Sequence, residues 1–484
     1  MDCHQPVSLF MKKPASPFCA PLEHALHHAL NHLHGLDDSP VAATATLHTL
    51  RARLAKPLNA RPLPAERVID ELVADTAGGI TGSAGGRFFG WVIGGALPAA
   101  LAADWLTSTW DQNAAAYACG PAAAVVEEVC GTWLKDVLGL PSAATFALTN
   151  GCQMAHVTAL AAARNALLAR RGWDVETDGL HGAPVLRILS GDQYHASVTR
   201  AARLLGLGSN AITALPVNAG GQLEAATLAR ALEEHAGQAT IVLLQAGDLN
   251  IGAYDDFQTL IPLAHRHGAW VHVDGAFGLW ANTSARHRHL LAGVEHADSW
   301  ATDGHKWLNV PYDSGYAFIN DATAHRNAMS YRASYVPLNG EVREQADWNP
   351  EWSRRGRGFA TYAALRELGR DGIGDMIARC CAAASALVTG IATLAGAELV
   401  WQSQVNQGLL RFPDPRVDAT EADHDACTDA VTAAVLASGE ALFSNTTWRG
   451  KRCMRVSVCN WQTGEADVAR AIAAVAQVLA ERRS

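Results

Sequence analysis

The stretch Asp298-Ser-Trp-Ala-Thr-Asp-Gly-His305-Lys306-Trp307 is the point around which this 484-residue sequence is organised. Lys306 is one of six lysines, and no other lysine lies between Lys135 and Lys451, where strand and helix patterns are densest. A histidine precedes it and two tryptophans flank it, so we expect a partly enclosed side chain. Burial makes a lysine lose its proton more easily, and the neutral amine attacks carbonyl groups. A lysine that snorkels out from a tryptophan-lined surface is the alternative explanation.

A second stretch, Ala269-Trp-Val-His-Val-Asp274-Gly-Ala276-Phe-Gly278, places a carboxylate 32 residues before Lys306. Its mostly apolar residues end in Asp274 and are followed by small residues, which predicts a buried strand with an aspartate at its C-terminal end. Open α/β sheets bind their ligands at that edge. A buried carboxylate requires a cationic or hydrogen-bonding partner. A lysine amine and an acidic partner for a pyridinium nitrogen are the two protein groups that pyridoxal phosphate (PLP) requires.

Seven short stretches are spread along the chain and include parts of both segments described above. They are Phe88-Phe-Gly-Trp-Val-Ile-Gly-Gly-Ala-Leu-Pro98, Thr149-Asn-Gly-Cys-Gln-Met-Ala155, Asp192-Gln-Tyr-His195, His272-Val-Asp274-Gly-Ala276, His305-Lys306-Trp307, Arg354-Arg355 and Met454-Arg455-Val456. In this order they resemble the PLP-dependent group II amino-acid decarboxylases of the aspartate-aminotransferase fold, fold type I. The resemblance covers residues 65–475. It implies an α/β fold, with a large domain built on a mostly parallel seven-stranded sheet and a small α+β C-terminal domain.

The resemblance also implies roles for individual residues. Lys306 would hold PLP through its amine, Asp274 would keep the ring nitrogen protonated, and His195 would stack on the ring, which makes these three the catalytic residues. Further contacts to the cofactor are implied for Gly151, Cys152, Gln153, Asn250, Ala276 and His305. Contacts to the substrate are implied for Phe89, Trp91 and Arg455, the last through a carboxylate.

Several of these residues have an ordinary structural alternative. A histidine after a strand, such as His195, is often structural, and the aromatic run Phe88-Phe89-Gly90-Trp91 could pack in the core. Arg455 could form an ion pair within a strand. The turn before Cys152 and Gln153 leads into a long helix, whose N-terminus suits a phosphate because its backbone N–H groups are unpaired. Members of the family usually carry Gly, Ser or Thr at that turn, so the side-chain contacts there differ.

The sequence departs from the family at two further loops. Where the family carries a Thr-rich loop beside the cofactor, this chain has Asp248, which leaves Asn250 as the polar candidate. The family also carries a tyrosine on a mobile loop that protonates Cα after carbon dioxide leaves. The residue nearest that position is Gln345, and Tyr331 and Tyr335 lie earlier in the chain. No proton donor is therefore assigned from the sequence.

The predicted function is PLP-dependent decarboxylation of an L-amino acid to an amine and carbon dioxide. The alternatives are a PLP-dependent lyase or aldolase, a decarboxylating aldehyde synthase, and a catalytically inactive binding scaffold. The segment 88–93, expected to face the substrate side chain, contains no cation. Burying a substrate carboxylate there would cost several kcal/mol, so we expect an apolar or aromatic side chain. Arg354 or Arg355 of the other subunit, if it entered the pocket, would reverse this preference.

Composition limits the partners and the location. The net charge of −9 argues against general nucleic-acid binding. The ten cysteines lack the paired spacing of metal sites, and we interpret them as thiols of a reducing, cytoplasmic compartment. We expect no secretory signal and no membrane span, because no run of 18 or more apolar residues is present.

The N-terminal region predicts a helix that contacts another subunit. Leu22, Leu26, Leu30 and Leu33 form an apolar stripe, with His24, His28 and His32 roughly opposite. Three histidines at this spacing could bind a metal ion, but no carboxylate or cysteine joins them in the sequence pattern, so we predict no metal site. The stripe is expected to pack across a homodimer, whose active site the resemblance places at the subunit interface.

The predicted organisation has three parts. Residues 1–80 form an N-terminal helical, dimer-packing segment, 81–375 the large PLP-binding domain, and 376–484 the small C-terminal domain. Within them we expect strands near 145–148, 185–190, 211–217, 240–245, 408–412 and 453–458, and helices near 423–438 and from Glu465 onward.

Overall fold

The computed structural model describes residues 16–331 and 342–483. The described residues contain twelve strands and fourteen α-helices. The strands are β1 (Phe88–Phe89), β2 (Thr145–Thr149), β3 (Leu186–Gly191), β4 (Ile212–Leu215), β5 (Ala239–Gln245), β6 (Trp270–Asp274), β7 (Ser299–Asp303), β8 (Gly315–Ile319), β9 (Glu398–Trp401), β10 (Gln407–Arg411), β11 (Leu442–Trp448) and β12 (Lys451–Ser457). The helices are α1 (Cys19–His34), α2 (Leu47–Leu54), α3 (Ala65–Thr76), α4 (Pro98–Trp110), α5 (Pro121–Val137), α6 (Cys152–Ala169), α7 (Val175–Asp178), α8 (Ala196–Leu204), α9 (Ala225–Glu234), α10 (Phe257–Arg266), α11 (Ala322–Met329), α12 (Gly358–Ala392), α13 (Glu421–Ser438) and α14 (Glu465–Glu481).

The main sheet has seven strands in the order β2-β8-β7-β6-β5-β3-β4. Strands β3 to β7 pair in parallel, and β8 is antiparallel to both of its neighbours, β7 and β2. Both faces of a mostly parallel sheet are covered, and β5 is accordingly buried along its whole length. Helix α6 lies against this sheet and packs on α8 and α11. The predicted mostly parallel seven-stranded sheet is confirmed.

The tryptophans around the central lysine pack inward. Trp270, Trp280, Trp300 and Trp307 are the largest fully buried side chains. Three of them place their indole nitrogens within the hydrogen-bond network, and Trp280 donates to the backbone oxygen of Asp303 at 3.0 Å. The segment that carries Lys306 is thus fixed by large apolar side chains that each bury a substantial area.

The small sheet has five strands in the order β1-β11-β12-β10-β9. Helix α13 packs beside it, and α14 packs on α12 and α13. Strand β1 comes from near the predicted start of the large domain and pairs in parallel with β11. The helix α12 runs through the predicted boundary at residue 375. The three-part division of the chain stays a prediction.

One helix of the described chain, α12, is long and apolar enough to cross a membrane by length and composition. The core helix of a folded protein meets the same test. This helix breaks at Gly369, whose φ of 60° is non-helical, and it packs against α4, α5 and α14. Its apolar residues, among them Met376 and Leu387, belong to the core. We therefore interpret α12 as a core element of the fold.

The N-terminal helices pack on one another, and α3 contacts both α1 and α2. The sequence pattern shows no carboxylate beside the histidines of α1, but the structure brings one from another helix. Asp70 on α3 lies 3.0 Å from Nδ1 of His24 and 2.8 Å from Nε2 of His28. The carboxylate comes from another helix, 42 residues beyond His28, so local spacing could not reveal it.

Candidate active site

The site is built at the C-terminal ends of three parallel strands. In register, Gln245 at the end of β5 pairs with Asp274 at the end of β6, and Asp274 pairs with Ala301 of β7. Two residues later β7 ends at Asp303, and the chain then turns into Lys306. Carboxylates and an amine therefore meet at the edge where open α/β sheets bind ligands.

Lys306 forms an ion pair with Asp303, whose Oδ2 lies 3.3 Å from Nζ. The lysine side chain is 22% exposed, so it is partly enclosed as expected. Burial lowers the pKa of Lys306, but Asp303, Cys152 and Asp274 raise it by more, so the net pKa lies above its usual value. The expectation that burial would make this lysine lose its proton more easily is wrong, because the sequence did not identify the aspartate beside it.

Asp274 is almost completely buried and has two protein partners. Its Oδ1 accepts a hydrogen bond from the backbone N–H of Ala276 at 3.1 Å. Its Oδ2 lies 3.4 Å from Nε2 of His156 on α6. Burial would raise the pKa of Asp274, but His156, with help from Lys306 and His195, brings it well below its usual value. The side chain is therefore a carboxylate at neutral pH.

His195 lies at the start of α8, where its Nδ1 accepts from the backbone N–H of Ser197 at 3.2 Å. Burial lowers the pKa of His195, while Asp274 raises it and Lys306 and Arg455 lower it. The imidazole therefore feels the charges of residues that are far apart in sequence. Lowering of its pKa favours the neutral ring at pH 7.

The first turn of α6 closes one side of the site. The helix begins after Gly151, whose φ of +146° is available mainly to glycine. A Cβ added there would lie 3.0 Å from Cε1 of His305. The next backbone N–H, that of Cys152, donates to Oδ1 of Asp303 at 2.5 Å, and the side chain of Gln153 donates to the backbone oxygen of Ser197. These two hydrogen bonds connect the start of α6 to the end of β7 and to the first turn of α8.

The small domain contributes Arg455 from β12. Its Nη1 donates to the Leu249 oxygen at 2.7 Å, and its buried Nε has no protein partner among the described residues. Burial lowers the pKa of Arg455 to about 10, with Asp248 opposing the shift. Asn250 of the same loop is buried and accepts from Thr446 Oγ1 at 2.6 Å. Its side chain therefore joins the loop to the small sheet.

The two aromatic residues predicted at the substrate, Phe89 and Trp91, differ in their burial. Phe89 is fully buried and stacks on Phe443 with ring centroids 5.4 Å apart. Trp91 is 55% exposed, and its backbone N–H donates to Ser444 Oγ at 3.2 Å. The aromatic run thus divides between core packing and an exposed ring.

The sequence offered three candidates for the missing proton donor. Gln345 is fully buried, accepts from Arg343 and donates to the Ala124 oxygen, so it acts in packing. Tyr331 is exposed, and Tyr335 lies outside the described residues. Tyr312, which the sequence did not single out, stacks on His305 with ring centroids 4.3 Å apart.

Sequence reasoning missed three features of this site. It quoted Asp303 without giving it a role, and it passed over His156, which lies on the α6 face toward Asp274. It also missed Gly94, where a Cβ would overlap the Lys306 backbone oxygen. The spacing of Asp303, three residues before Lys306, was the one available signal. The other two contacts join segments more than 100 residues apart in sequence.

Comparison with known proteins gives a consistent family. Residues 48–413 match the model described as the pyridoxal-dependent decarboxylase conserved domain. The chain is 27% identical over 348 residues to an aromatic-L-amino-acid decarboxylase of Bacillus atrophaeus, covering 70% of each protein. It is also 27% identical over 393 residues to an L-2,4-diaminobutyrate decarboxylase of Rhizobium meliloti, covering 80% of this chain and 76% of that protein.

Solved structures show the same fold. The structure of Oryza sativa TDC with PLP and tryptamine superposes with a TM-score of 0.89 at 24% identity, covering 98% of this chain and 100% of that one. The structure of mouse CSAD superposes with a TM-score of 0.88 at 21% identity, covering 95% of this chain and 98% of that one.

Proposed function

The chain belongs to the family of pyridoxal-dependent decarboxylases, and we propose that it decarboxylates an L-amino acid with an apolar or aromatic side chain. The family makes it a PLP-dependent carboxy-lyase. The observation that carries the substrate proposal is that Arg354 and Arg355 already form ion pairs with carboxylates of this chain. The residues that act on cofactor and substrate are also part of the proposal.

The side chains at the sheet edge fit the cofactor. An amine for covalent attachment (Lys306) and a carboxylate for a ring nitrogen (Asp274) are the two groups that PLP requires, and both lie at this edge. Gly151 leaves space that a Cβ would fill beside His305, at the start of an 18-residue helix. A helix start of this kind accepts a phosphate group.

Each residue has a distinct part in this proposal. When bound, PLP supplies an electron sink for the pair released at the substrate Cα. Lys306 binds the cofactor through Nζ, and Asp274, held ionised by its surroundings, keeps a proton on the ring nitrogen. His195, a neutral ring at the start of α8, covers the cofactor ring. Arg455, with its unpaired Nε, orients the substrate α-carboxylate.

The cofactor contacts proposed for the other residues follow from their places. Gly151, Cys152 and Gln153 form the start of α6, and Ala276 and His305 flank the two strand ends. Asn250 lies in the loop held by Thr446. Phe89 and Trp91 are both proposed at the substrate, Trp91 as an exposed ring and Phe89 as a buried one.

The arginines that could have reversed the substrate preference are already paired. Arg354 makes two hydrogen bonds to Glu127, at 2.8 and 2.6 Å, and the pair is fully buried. Arg355 pairs with Asp104 at 2.8 Å. Neither side chain is free to neutralise an acidic substrate. An acidic side chain would therefore lose its hydration without gaining a charge partner.

The experiment that tests this proposal is a competition between amino acids. Phenylalanine, tyrosine, tryptophan, leucine and valine are compared with glutamate, aspartate and 2,4-diaminobutyrate, and carbon dioxide and amine are measured for each. We expect the highest kcat/KM for an apolar or aromatic substrate. A charged substrate in first place would contradict the pocket assignment and leave the family unchanged.

A decarboxylating aldehyde synthase is the second candidate. Gln345 stands where the family has its loop tyrosine, and its side chain is buried, so it cannot supply the proton to Cα. The chain is also 25% identical over 354 residues to a phenylacetaldehyde synthase of Petunia hybrida. The same assay separates the two reactions, because an aldehyde synthase consumes dioxygen and water and releases an aldehyde, ammonia and hydrogen peroxide in place of the amine, while both reactions release carbon dioxide.

The active enzyme is proposed to be a cytoplasmic homodimer. None of the residues of α1 is buried, and its four stripe leucines are exposed. Exposed apolar stripes of this kind mark contact surfaces. A reducing location is supported by the nine cysteines in the described residues, which are all free thiols.

A further inference from the structure

Two histidines lie directly behind Asp274 and have no part in the function described so far. His156 comes from α6 and His272 from β6, two residues before Asp274, and both are fully buried. Nδ1 of His156 lies 2.9 Å from Nε2 of His272. Fully buried polar groups are costly unless they are satisfied, so this pair requires an explanation.

The pair belongs to a continuous chain of contacts that ends at Asp274. The Trp270 indole donates to Ser299 Oγ at 2.9 Å, and Ser299 Oγ lies 2.9 Å from Nδ1 of His272. His272 then meets His156, and Nε2 of His156 lies 3.4 Å from Oδ2 of Asp274. The same Nε2 lies 3.5 Å from Sγ of Cys152. Every ring nitrogen of the two histidines thus has a partner.

The hydrogens of this chain can be placed from the partners. Burial, with the nearby His156, lowers the pKa of His272 to about 3, so His272 is neutral and has one donor nitrogen. If His272 donates to His156, a neutral His156 carries its hydrogen on Nε2, facing Asp274. If His156 is protonated, Nε2 carries a hydrogen as well. The remaining arrangement sets a bare nitrogen lone pair against a carboxylate, which is electrostatically unfavourable.

We propose that His156 and His272, anchored by Ser299, are positioning residues that keep a hydrogen facing Asp274 and so hold this carboxylate ionised and aimed at the cofactor ring nitrogen. The inference rests on the proposed role of Asp274. The hydrogen on Nε2 of His156 would hold Oδ2, and the backbone N–H of Ala276 holds Oδ1, so the carboxylate is fixed from two sides and a further lone pair of Oδ1 would accept from the ring nitrogen. The buried pair excludes water from the far side of the carboxylate, so its orientation depends on protein groups alone.

The test measures the ring nitrogen directly in the holoenzyme. The protein is loaded with PLP carrying ¹⁵N in the ring, and the ¹⁵N chemical shift reports whether that nitrogen is protonated. The PLP dissociation constant is the second readout. We expect His156→Phe to move the signal toward the unprotonated value and to raise the dissociation constant about tenfold, as for loss of a hydrogen bond to a charged group.

Two further variants resolve the direction of the effect. His156→Gln replaces Nε2–H with an amide donor, so its signal should lie between those of the wild type and His156→Phe. Ser299→Ala changes the side-chain volume little but removes the hydroxyl that anchors His272. It should shift the ¹⁵N signal in the same direction as His156→Phe, but by less. If His156→Phe does not fold, these two variants decide the outcome.

The matched control is His325→Phe. His325 is equally buried, but its partners are Thr145 Oγ1 and the Trp348 oxygen, far in the fold from Asp274. The ¹⁵N signal of this variant should equal that of the wild type. A shift as large as that of His156→Phe would overturn the proposal.

Asp274→Asn tests the role of Asp274 separately from the role of the two histidines. If Asp274→Asn shifts the signal while the His156 and Ser299 variants keep the wild-type signal and PLP affinity, the role of the histidines is refuted and that of Asp274 stands. If Asp274→Asn leaves the signal unchanged, the proposed role of Asp274 fails, and the inference fails with it.

Discussion

At the residue scale, Lys306 shows how one neighbour, Asp303, reverses the direction in which burial shifts a pKa. A buried lysine without a partner would lose its proton early, but Asp303 at 3.3 Å stabilises the ammonium form. The cofactor-free enzyme would therefore hold Lys306 mainly as a cation at neutral pH. Its neutral, reactive form becomes abundant only as the pH rises.

Asp303→Asn should change the pH dependence of cofactor capture. Removal of the carboxylate lowers the pKa of Lys306, so the neutral amine is present at lower pH. The rate at which the cofactor-free protein binds PLP, measured against pH, should keep its shape and move toward lower pH. An unchanged profile, or a move toward higher pH, would show that Asp303 does not control this lysine.

Asp274→Asn should separate cofactor binding from turnover. The variant should still bind PLP through Lys306 but lose about 10²–10³ in kcat, the size of effect seen when a single electrostatic contact in an active site is removed. Steady-state kinetics at saturating PLP measures this loss. Near-normal kcat in a variant that is fully loaded with PLP would remove Asp274 from its proposed role.

At the scale of elements, one buried ion pair connects α5 to the segment that leads into α12. Arg354 lies between Glu127 of α5 and the backbone oxygen of Ala114, at 2.7 Å from the latter. The neighbouring Arg355 makes a comparable ion pair with Asp104, but both partners are partly exposed. The two adjacent arginines thus offer a matched comparison of buried and exposed pairs.

Arg354→Ala should destabilise the protein by about 3–5 kcal/mol, because it leaves the Glu127 carboxylate buried without a partner. Arg355→Ala should cost at most about 1 kcal/mol, since water can solvate Asp104. Urea unfolding of the holoenzyme measures both free energies. Equal losses in the two variants would mean that burial does not decide the strength of these pairs.

At the scale of the whole molecule, helix α1 exposes an apolar face in the part of the chain that the structure describes. Leu26 and Leu30 are 46% and 43% exposed and lie on the same face of α1. His24 and His28 face the opposite way and bind Asp70, which fixes α1 on α3. The leucine face of α1 is therefore exposed, and the proposed homodimer would bury it.

The double variant Leu26→Glu/Leu30→Glu should convert the proposed homodimer to a monomer, because four charged carboxylates would face each other across the proposed interface. Light scattering after size-exclusion chromatography measures the mass. The control is Leu204→Glu, which changes a leucine at the end of α8 that is 63% exposed, and its mass should equal that of the wild-type protein. A double variant that remains dimeric, or a monomeric wild-type protein with full activity, would place the interface elsewhere or refute it.

The extent of prediction from sequence followed the range of the interactions. The strands expected near 185–190, 211–217 and 240–245 correspond to β3, β4 and β5, because apolar runs bounded by turns are a local signal. The C-terminal helices near 423–438 and from Glu465 were found for the same reason. Strand β7, which leads to Lys306, was not predicted as a strand, although it lies within the stretch around which the sequence is organised.

The sequence by itself determined the fold and the family, since the order of its motifs and the spacing of Asp274 and Lys306 are properties of the chain. The tertiary structure alone decided the charge of the site. Asp303 and His156 act on Lys306 and Asp274 through contacts of 3.3 and 3.4 Å. Coulomb interactions depend on distance and burial, and neither can be read from the chain before it folds.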